Sequence, residues 1–223
     1  MEAYVIYIQG HEDSEKFSDR CVQSIIDTES DLTVEKFPAI TPSNMWKIKY
    51  TWPLRKKSTC PKTGLILSAY KTYDNDKRIA AAQSHYMLWR KCATLNRPIL
   101  ILEHDAIFIK KFDSKILEWW PGEGAVSINN PIGATFSAKE YDAKLTNGIN
   151  DVPWLTGNDV PQGLPGHSAY VIFPEAAKQV MKLQDEIGWW PNDAIMCKQL
   201  CPWIRCYKPY LTECQGIKST TSK

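Results

Sequence analysis

The 223-residue chain carries 27 Lys and Arg against 25 Asp and Glu, a formal charge of +2 with a pI near 8.1. Its 43% hydrophobic and 23% charged content is that of a folded globular chain and excludes the disordered and fibrous classes. So mild a charge leaves nucleic-acid binding to a local basic face rather than to bulk electrostatics. No run approaches the roughly 18 apolar residues of a membrane span.

In chain order, residues 4–8 are β-branched and aromatic and run into Gly10, which predicts a first strand and loop. Phe17, Cys21, Val22, Ile25 and Ile26 recur at helical spacing and predict a helix over 14–27 with Ser14 as N-cap. A second strand is expected over 32–40. Residues 43–76, rich in Lys, Thr, Pro and Trp without a sustained period, are expected to form an insertion loop. Residues 78–95 predict a helix that leads through Arg97-Pro98 into Ile99-Leu100-Ile101-Leu102, a run apolar on both faces as in a buried strand of a parallel sheet. Ala125–Ile128 and Ser168–Phe173 predict two more strands, and Pro174 opens a helix as an N1 proline. Another helix is expected from Trp189-Trp190-Pro191-Asn192-Asp193 to about Leu200. In the tail, 207–223, residues 215–223 are polar and expected as a loop or frayed end. Such alternation is that of one α/β domain over 1–223, a mixed central sheet flanked by helices.

The N-terminus MEAYVIYIQG carries an acidic residue where a signal peptide would be cationic, so a cytoplasmic location and reduced thiols are expected. Cys197, Cys201, Cys206 and Cys214 do not have the paired C-x2-C spacing of structural zinc, and buried or idle thiols are expected.

The aliphatic strand ends in Glu103-His104-Asp105. In open α/β sheets, ligands sit beyond the carboxyl ends of the strands. Two carboxylates two apart on extended backbone point to one side and can share a divalent ion, and oxygen donors favour Mn2+ or Mg2+ over zinc. The alternative is a polar strand end facing water.

Six segments in order carry a resemblance: "VIYIQGHEDSEKFSDRC" with Arg20, "FPAI" at 37–40, "AAAQSHYMLW" at 80–89, "ILILEHDAIF" at 99–108, "GHSAYVI" at 166–172 and "PND" at 191–193. Together they resemble glycosyltransferase family 25, the lipopolysaccharide and collagen sugar transferases. His104 stands where that family has an acidic residue, and 43–76 and the chain after about 200 match poorly. The resemblance implies a GT-A type, Rossmann-like fold and transfer of a sugar, with inversion, from a nucleoside-diphosphate donor, a uridine diphosphate sugar first among those expected.

Carried over residue by residue, it implies Asp105 and Glu103 as metal ligands, with Glu103 and His104 on the donor side. His167 either completes the metal shell, contacts donor sugar or is an ordinary loop histidine, and neighbouring Tyr170 is expected in the core. Gln9, Gly10 and His11 are expected near the base, with Arg20 ordering their loop, and Ala39 and Ile40 flank the nucleoside. Ser84 and His85 reach the donor phosphates or serve the helix structurally. Lys218 closes over the diphosphate or lies in a solvated end. Asp193 is the candidate general base, or only a helix cap; Trp189 and Trp190 contact the acceptor or anchor the core. The acceptor is a glycan, a protein or a hydroxymethylated base in DNA. For the last speaks the stretch WKIKYTWPLRKK at 46–57, whose cations can track phosphates; otherwise it is a solvated loop or a surface meeting anionic lipopolysaccharide. A non-catalytic binding module that keeps the fold is the competing reading, prompted by His104.

Overall fold

The computed structural model describes residues 1–120, 122–134, 137–155 and 157–216, and Lys218 lies outside them. Strand β1 (Glu2–Tyr7) buries Ala3 to Ile6 and feeds helix α1 (Glu12–Asp27). This helix begins earlier than its apolar spacing predicts. His11, not Ser14, is the N-cap, its Nδ1 accepting from the Ser14 N–H at 3.3 Å, and Glu12, Asp13 and Glu15 favour the positive end of the helix dipole. The Ser14 hydroxyl is free to turn back and accept from Ile8 N–H at 2.8 Å. Strand β2 (Thr33–Pro38) ends on its proline, as an edge strand can.

The segment 43–76 differs from the expected loop. It contains a two-stranded ribbon, β3 (Ser58–Thr59) with β4 (Ile66–Leu67), and buries Trp52, Cys60, Leu65 and Leu67. Helix α2 (Asn75–Leu95) is capped by Asp74 and stops at Asn96, which takes the left-handed conformation with φ 50° before Pro98. Strand β5 (Ile99–Glu103) and strand β6 (Ala106–Phe108) come next, separated only by His104 and Asp105. A 3-10 turn (Ser114–Trp119), β7 (Ala125–Ser127), α3 (Ala138–Ala143) and β8 (Gly148–Asp151) lead to β9 (Ala169–Ile172) and α4 (Pro174–Ile187), with Pro174 in the first turn as expected. Helix α5 (Asn192–Ile195) is a single turn rather than a helix to Leu200, because Met196 leaves helical geometry. Strands β10 (Ile204–Lys208) and β11 (Thr212–Cys214) close the described chain.

The seven-stranded sheet has the order β2-β1-β5-β9-β7-β10-β8. It is mixed, as expected, but β5 is not in an all-parallel setting: it runs parallel to β1 and antiparallel to β9. Alternation along β5 explains its unbroken aliphatic run. Ile99 and Ile101 face a core with α2, α4 and α5, and Leu100 and Leu102 face a second core with α1 and β6. All seven cysteines are free, and six are buried. Among the described residues no helix is long and apolar enough to cross a membrane.

Because β9 is antiparallel to its neighbours, its N-terminal end meets the C-terminal ends of β1, β5 and β7. One edge of the sheet therefore collects the loops after Tyr7, Pro38 and Glu103 together with His167 and Ser168.

Candidate active site

Glu103 is the last ladder residue of β5, its N–H donating to Ser168 O at 2.8 Å. His104 and Asp105 then form a turn rather than extended backbone. Gln215 clamps that turn. Its N–H donates to Asp105 O at 2.8 Å, and its side-chain amide nitrogen lies 3.0, 3.2 and 3.3 Å from the carbonyls of Phe17, His104 and Ala106. Nothing in the local sequence around Gln215 signals this role, since the pairing spans about half the chain. Asp105 Oδ1 is buried without a hydrogen-bond partner. Burial, and then the charge of Glu103, push its carboxyl up to about 7. His104 is pushed below the ordinary imidazole range, chiefly by burial.

Helix α2 supplies the wall beside this turn. His85, 2% exposed, places Nε2 3.2 Å from Glu103 Oε1 and Nδ1 2.9 Å from the Tyr170 hydroxyl. Trp89, one turn on, donates from Nε1 to the same hydroxyl at 2.8 Å. Tyr170 is in the core, as expected, but its hydroxyl is the meeting point of this network. His167 stacks on the other side of the site, 4.0 Å from the Tyr170 ring, with both ring nitrogens buried and unpaired. Burial first, then His85, hold His167 down at about 3, so it is a neutral imidazole with an unused lone pair.

Ser84 accepts from Ile40 N–H at 2.8 Å and donates to Ala80 O at 2.9 Å. It thus ties the loop of Ala39 and Ile40 to α2, while Ala39 N–H extends the sheet by donating to Tyr7 O at 2.8 Å. Gln9, Gly10 and His11 are exposed at the end of β1. Glu15 rather than Arg20 orders this loop, accepting from Gly10 N–H at 2.8 Å; Arg20 is exposed and lies over the Phe17 ring.

Asp193 belongs to α5, where Pro191 is the N-cap, so the carboxylate is not spent on capping. Its Oδ1 accepts from the Tyr70 hydroxyl at 2.9 Å, and the Arg78 guanidinium lies 4.0 Å from the centre of the Tyr70 ring. Burial raises the Asp193 carboxyl, the Tyr70 hydrogen bond and the Arg78 charge draw it back, and Glu103 raises it further. Asp193 is thus within electrostatic reach of Glu103. No pattern in the sequence marks Tyr70 or Arg78 as a site residue. Gly163 passes so close beneath Asp193 that an added Cβ would lie 2.6 Å from the Asp193 carbonyl oxygen. Gly163→Ala is therefore expected to displace α5, costing about 1–3 kcal/mol in thermal or denaturant unfolding and lowering activity without altering any reacting group.

The tryptophan pair divides. Trp190 is 0% exposed and donates from Nε1 to Thr51 Oγ1 at 3.1 Å, which corrects its expected acceptor role: it anchors 43–76 to the body of the protein. Trp52 packs against it at 5.2 Å and stacks on Tyr70 at 5.6 Å. Trp189, mostly buried, packs against Tyr86 at 4.7 Å and Trp46 at 5.7 Å. Trp46 is the most exposed of that trio at 37%, its backbone held by a reciprocal pair of hydrogen bonds with Gln83.

Among the described residues no three His, Cys, Asp or Glu side chains are grouped to hold a metal. Asp105 Oδ1 and the ring nitrogens of His167 are nevertheless polar atoms buried without a hydrogen-bond partner, and burial, then the charge of Glu103, makes Asp105 ionise reluctantly. A cleft of about 600 Å³ lies elsewhere, on the α1 side of the sheet, lined by Lys111, Ile116, Trp120, Ile149 and Tyr207 and by no residue of this edge.

Residues 27–121 match the family model described as Glycosyltransferase family 25 (LPS biosynthesis protein). The matched stretch includes Ala39, Ile40, Ser84, His85, Glu103 and Asp105 and ends before His167 and Asp193. No curated protein sequence matches the chain. Among solved structures it is similar to the galactosyltransferase LgtC in complex with donor and acceptor sugar analogs, at 9% identity over 93% of this chain and 73% of that one, TM-score 0.44. A glycosyltransferase involved in the glycosylation of the major capsid of PBCV-1 is similar at 8% identity over 98% and 93%, TM-score 0.46. Mouse xyloside xylosyltransferase 1, in its apo form, is similar at 10% identity over 90% and 80%, TM-score 0.37.

Proposed function

We propose that the chain, whose residues 27–121 match the glycosyltransferase family 25 model, moves a sugar, with inversion, from a nucleoside-diphosphate donor bound at the Glu103–Asp105 turn to an acceptor hydroxyl deprotonated by Asp193. The observation that carries this reading is a set of two carboxylates of unlike environment, Asp105 in the turn after β5 and Asp193 on α5, the second of which feels the charge of Glu103. Asp105 sits in a buried turn with an unsatisfied oxygen; Asp193 is raised by burial and trimmed by Tyr70 and Arg78, as suits a base.

Asp105 and Glu103 are the residues that would hold Mn2+ or Mg2+, which would supply neutralisation of the charge building on the departing nucleoside diphosphate. The protein's own groups do the rest. The Tyr7–His11 loop offers the exposed Gln9 and His11 to base and ribose, with Ala39 and Ile40 next to it on a loop that Ser84 fixes. Lys218 is the cation proposed to meet the diphosphate from the tail. Trp189, with Trp46 as its solvent-facing partner, forms the proposed acceptor wall, where a sugar or base can pack on an aromatic face. Asp193 takes the acceptor proton. The experiment is transfer of labelled sugar from uridine diphosphate donors to candidate acceptors with added Mn2+, compared with Asp193→Asn.

Charge supports a polyanionic acceptor, a phosphorylated glycan or DNA. Residues 43–73 hold seven Lys and Arg and not one Asp or Glu. Lys47, Lys49, Arg55, Lys56 and Lys57 are exposed, and none has an ion-pair partner among the described residues. Trp52 and Trp190 fix this segment to the body of the protein, and its Tyr70 donates to Asp193. If all five meet duplex phosphates, log affinity should fall with log salt at a slope of about −4.5. Charge reversal of Arg55, Lys56 and Lys57 should flatten it, and a slope near zero would remove the polyanion from the proposal.

A further inference from the structure

We propose that Tyr170, backed by Trp89, fixes the tautomer of His85 and so holds the Glu103 carboxylate in a single orientation. The protons can be placed one by one. An indole Nε1–H can only donate, so the Tyr170 oxygen, 2.8 Å from Trp89 Nε1, must accept. The tyrosine proton then needs an acceptor of its own, and His85 Nδ1 stands 2.9 Å away. If Nδ1 accepts, the single proton of the neutral ring resides on Nε2, which faces Glu103 Oε1 at 3.2 Å and donates to it. The reverse tautomer fails at both ends. It would leave the hydroxyl proton of a fully buried tyrosine without an acceptor and point an imidazole lone pair at a carboxylate.

The fold supplies this chain from two elements. His85 and Trp89 are four apart on α2 and so share one face, and Tyr170 rises from β9 beneath them. The histidine ring lies nearly parallel to the tyrosine ring, at 14° with centroids 5.8 Å apart, and His167 stacks on Tyr170 from its own loop at 15°. Packing thereby restricts both rings, and the hydrogen bonds select among the remaining states. Trp89, Tyr170 and His85 are positioning residues: the chain begins in the core and ends on Glu103, whose side chain is 37% exposed at the sheet edge. A carboxylate free to swing would present its oxygens to the donor site in several directions; this one is held by an outer partner of defined polarity, as ligand carboxylates commonly are.

The catalytic consequence rests on the proposed donor site, but the tautomer does not, and the test separates them. With four histidines in the chain, nitrogen-15 correlation spectra resolve which ring nitrogen of His85 bears the proton. The expected result is Nε2–H in the wild type and a mixture in Tyr170→Phe, with the donor KM of that variant raised about 10–100-fold and kcat changed much less. His85→Gln, whose amide can accept from Tyr170 and donate to Glu103, should recover most of the affinity that His85→Leu loses at equal melting temperature. An Nδ1–H tautomer in the wild type, or a Tyr170→Phe protein with unchanged tautomer and KM, would overturn the proposal. Should Tyr170→Phe not fold, Trp89→Phe carries the same two readouts, because it frees the tyrosine hydroxyl to turn. A wild-type protein that has the Nε2–H tautomer yet binds no donor would defeat the functional reading and leave the tautomer assignment standing.

Discussion

Replacing Asp193 by asparagine is expected to lower the rate of sugar transfer by about 10²–10⁴-fold, the usual contribution of a general base, while leaving donor affinity within about twofold. The substitution is close to isosteric, and the amide oxygen can still accept from the Tyr70 hydroxyl, so α5 keeps its place. Only the ability to receive a proton is lost. The pH profile gives a second handle. Burial raises the Asp193 carboxyl above the ordinary range, so transfer should fail on acidification at a higher pH than for an exposed aspartate. Tyr70→Phe removes a hydrogen bond that favours the carboxylate, and the acid limb should move higher still. Near wild-type turnover in Asp193→Asn would assign the proton to another group.

The second large effect concerns Asp105 and has two opposite signs. Its carboxyl rises from 3.8 to about 7 on folding. Its favourable contribution to folding is therefore fully present below the unfolded value and lost as pH climbs through about 7. At pH 8 the metal-free protein carries an ionised, poorly solvated carboxylate beside Glu103. Asp105→Asn should stabilise that form by about 2 kcal/mol, a value discounted for the solvent that reaches the turn, and thermal melts at pH 5 and pH 8 should show a clearly larger gain at the higher pH. The same variant should lose metal-dependent nucleotide binding. A residue that destabilises the empty fold and is needed for binding is what the strain of a site predicts, and an Asp105→Asn protein equally stable and equally able to bind would remove the turn from the site.

Much of this arrangement can be read in the sequence, and the remainder is hidden for physical reasons. β1, β5, β9, α2 and α4 carry long apolar or helical patterns because they form the two cores, and periodicity reports burial. The edge strand β8, reading Gly-Ile-Asn-Asp, and β11, Thr-Glu-Cys, are short and polar, and their pairing depends on distant partners. α5 begins at a correct Pro-Asn-Asp signal but ends after one turn, since the chain beyond Met196 packs as a separate turn in which Cys201 N–H donates to Cys197 O. The Glu103-His104-Asp105 turn stands out because carboxylates at the end of an aliphatic strand need a reason. Its supports do not: Gln215 reaches back 109 residues to Ala106 and Tyr70 forward 123 to Asp193, and no local pattern encodes such pairings. Trp190 shows the converse. Adjacent to Asp193 it resembles an acceptor contact, whereas its indole is used to fasten residues 43–76, a segment that composition alone makes look loose.

Calorimetric titration of uridine diphosphate and other nucleoside diphosphates into wild type and Asp105→Asn, with and without Mn2+, tests the central claim most directly. The proposed donor site predicts binding to the wild type that requires the metal and is lost in the variant, while Asp193→Asn binds as well as the wild type. Binding that is indifferent to both Mn2+ and Asp105, or the absence of binding by any nucleoside diphosphate, would contradict it.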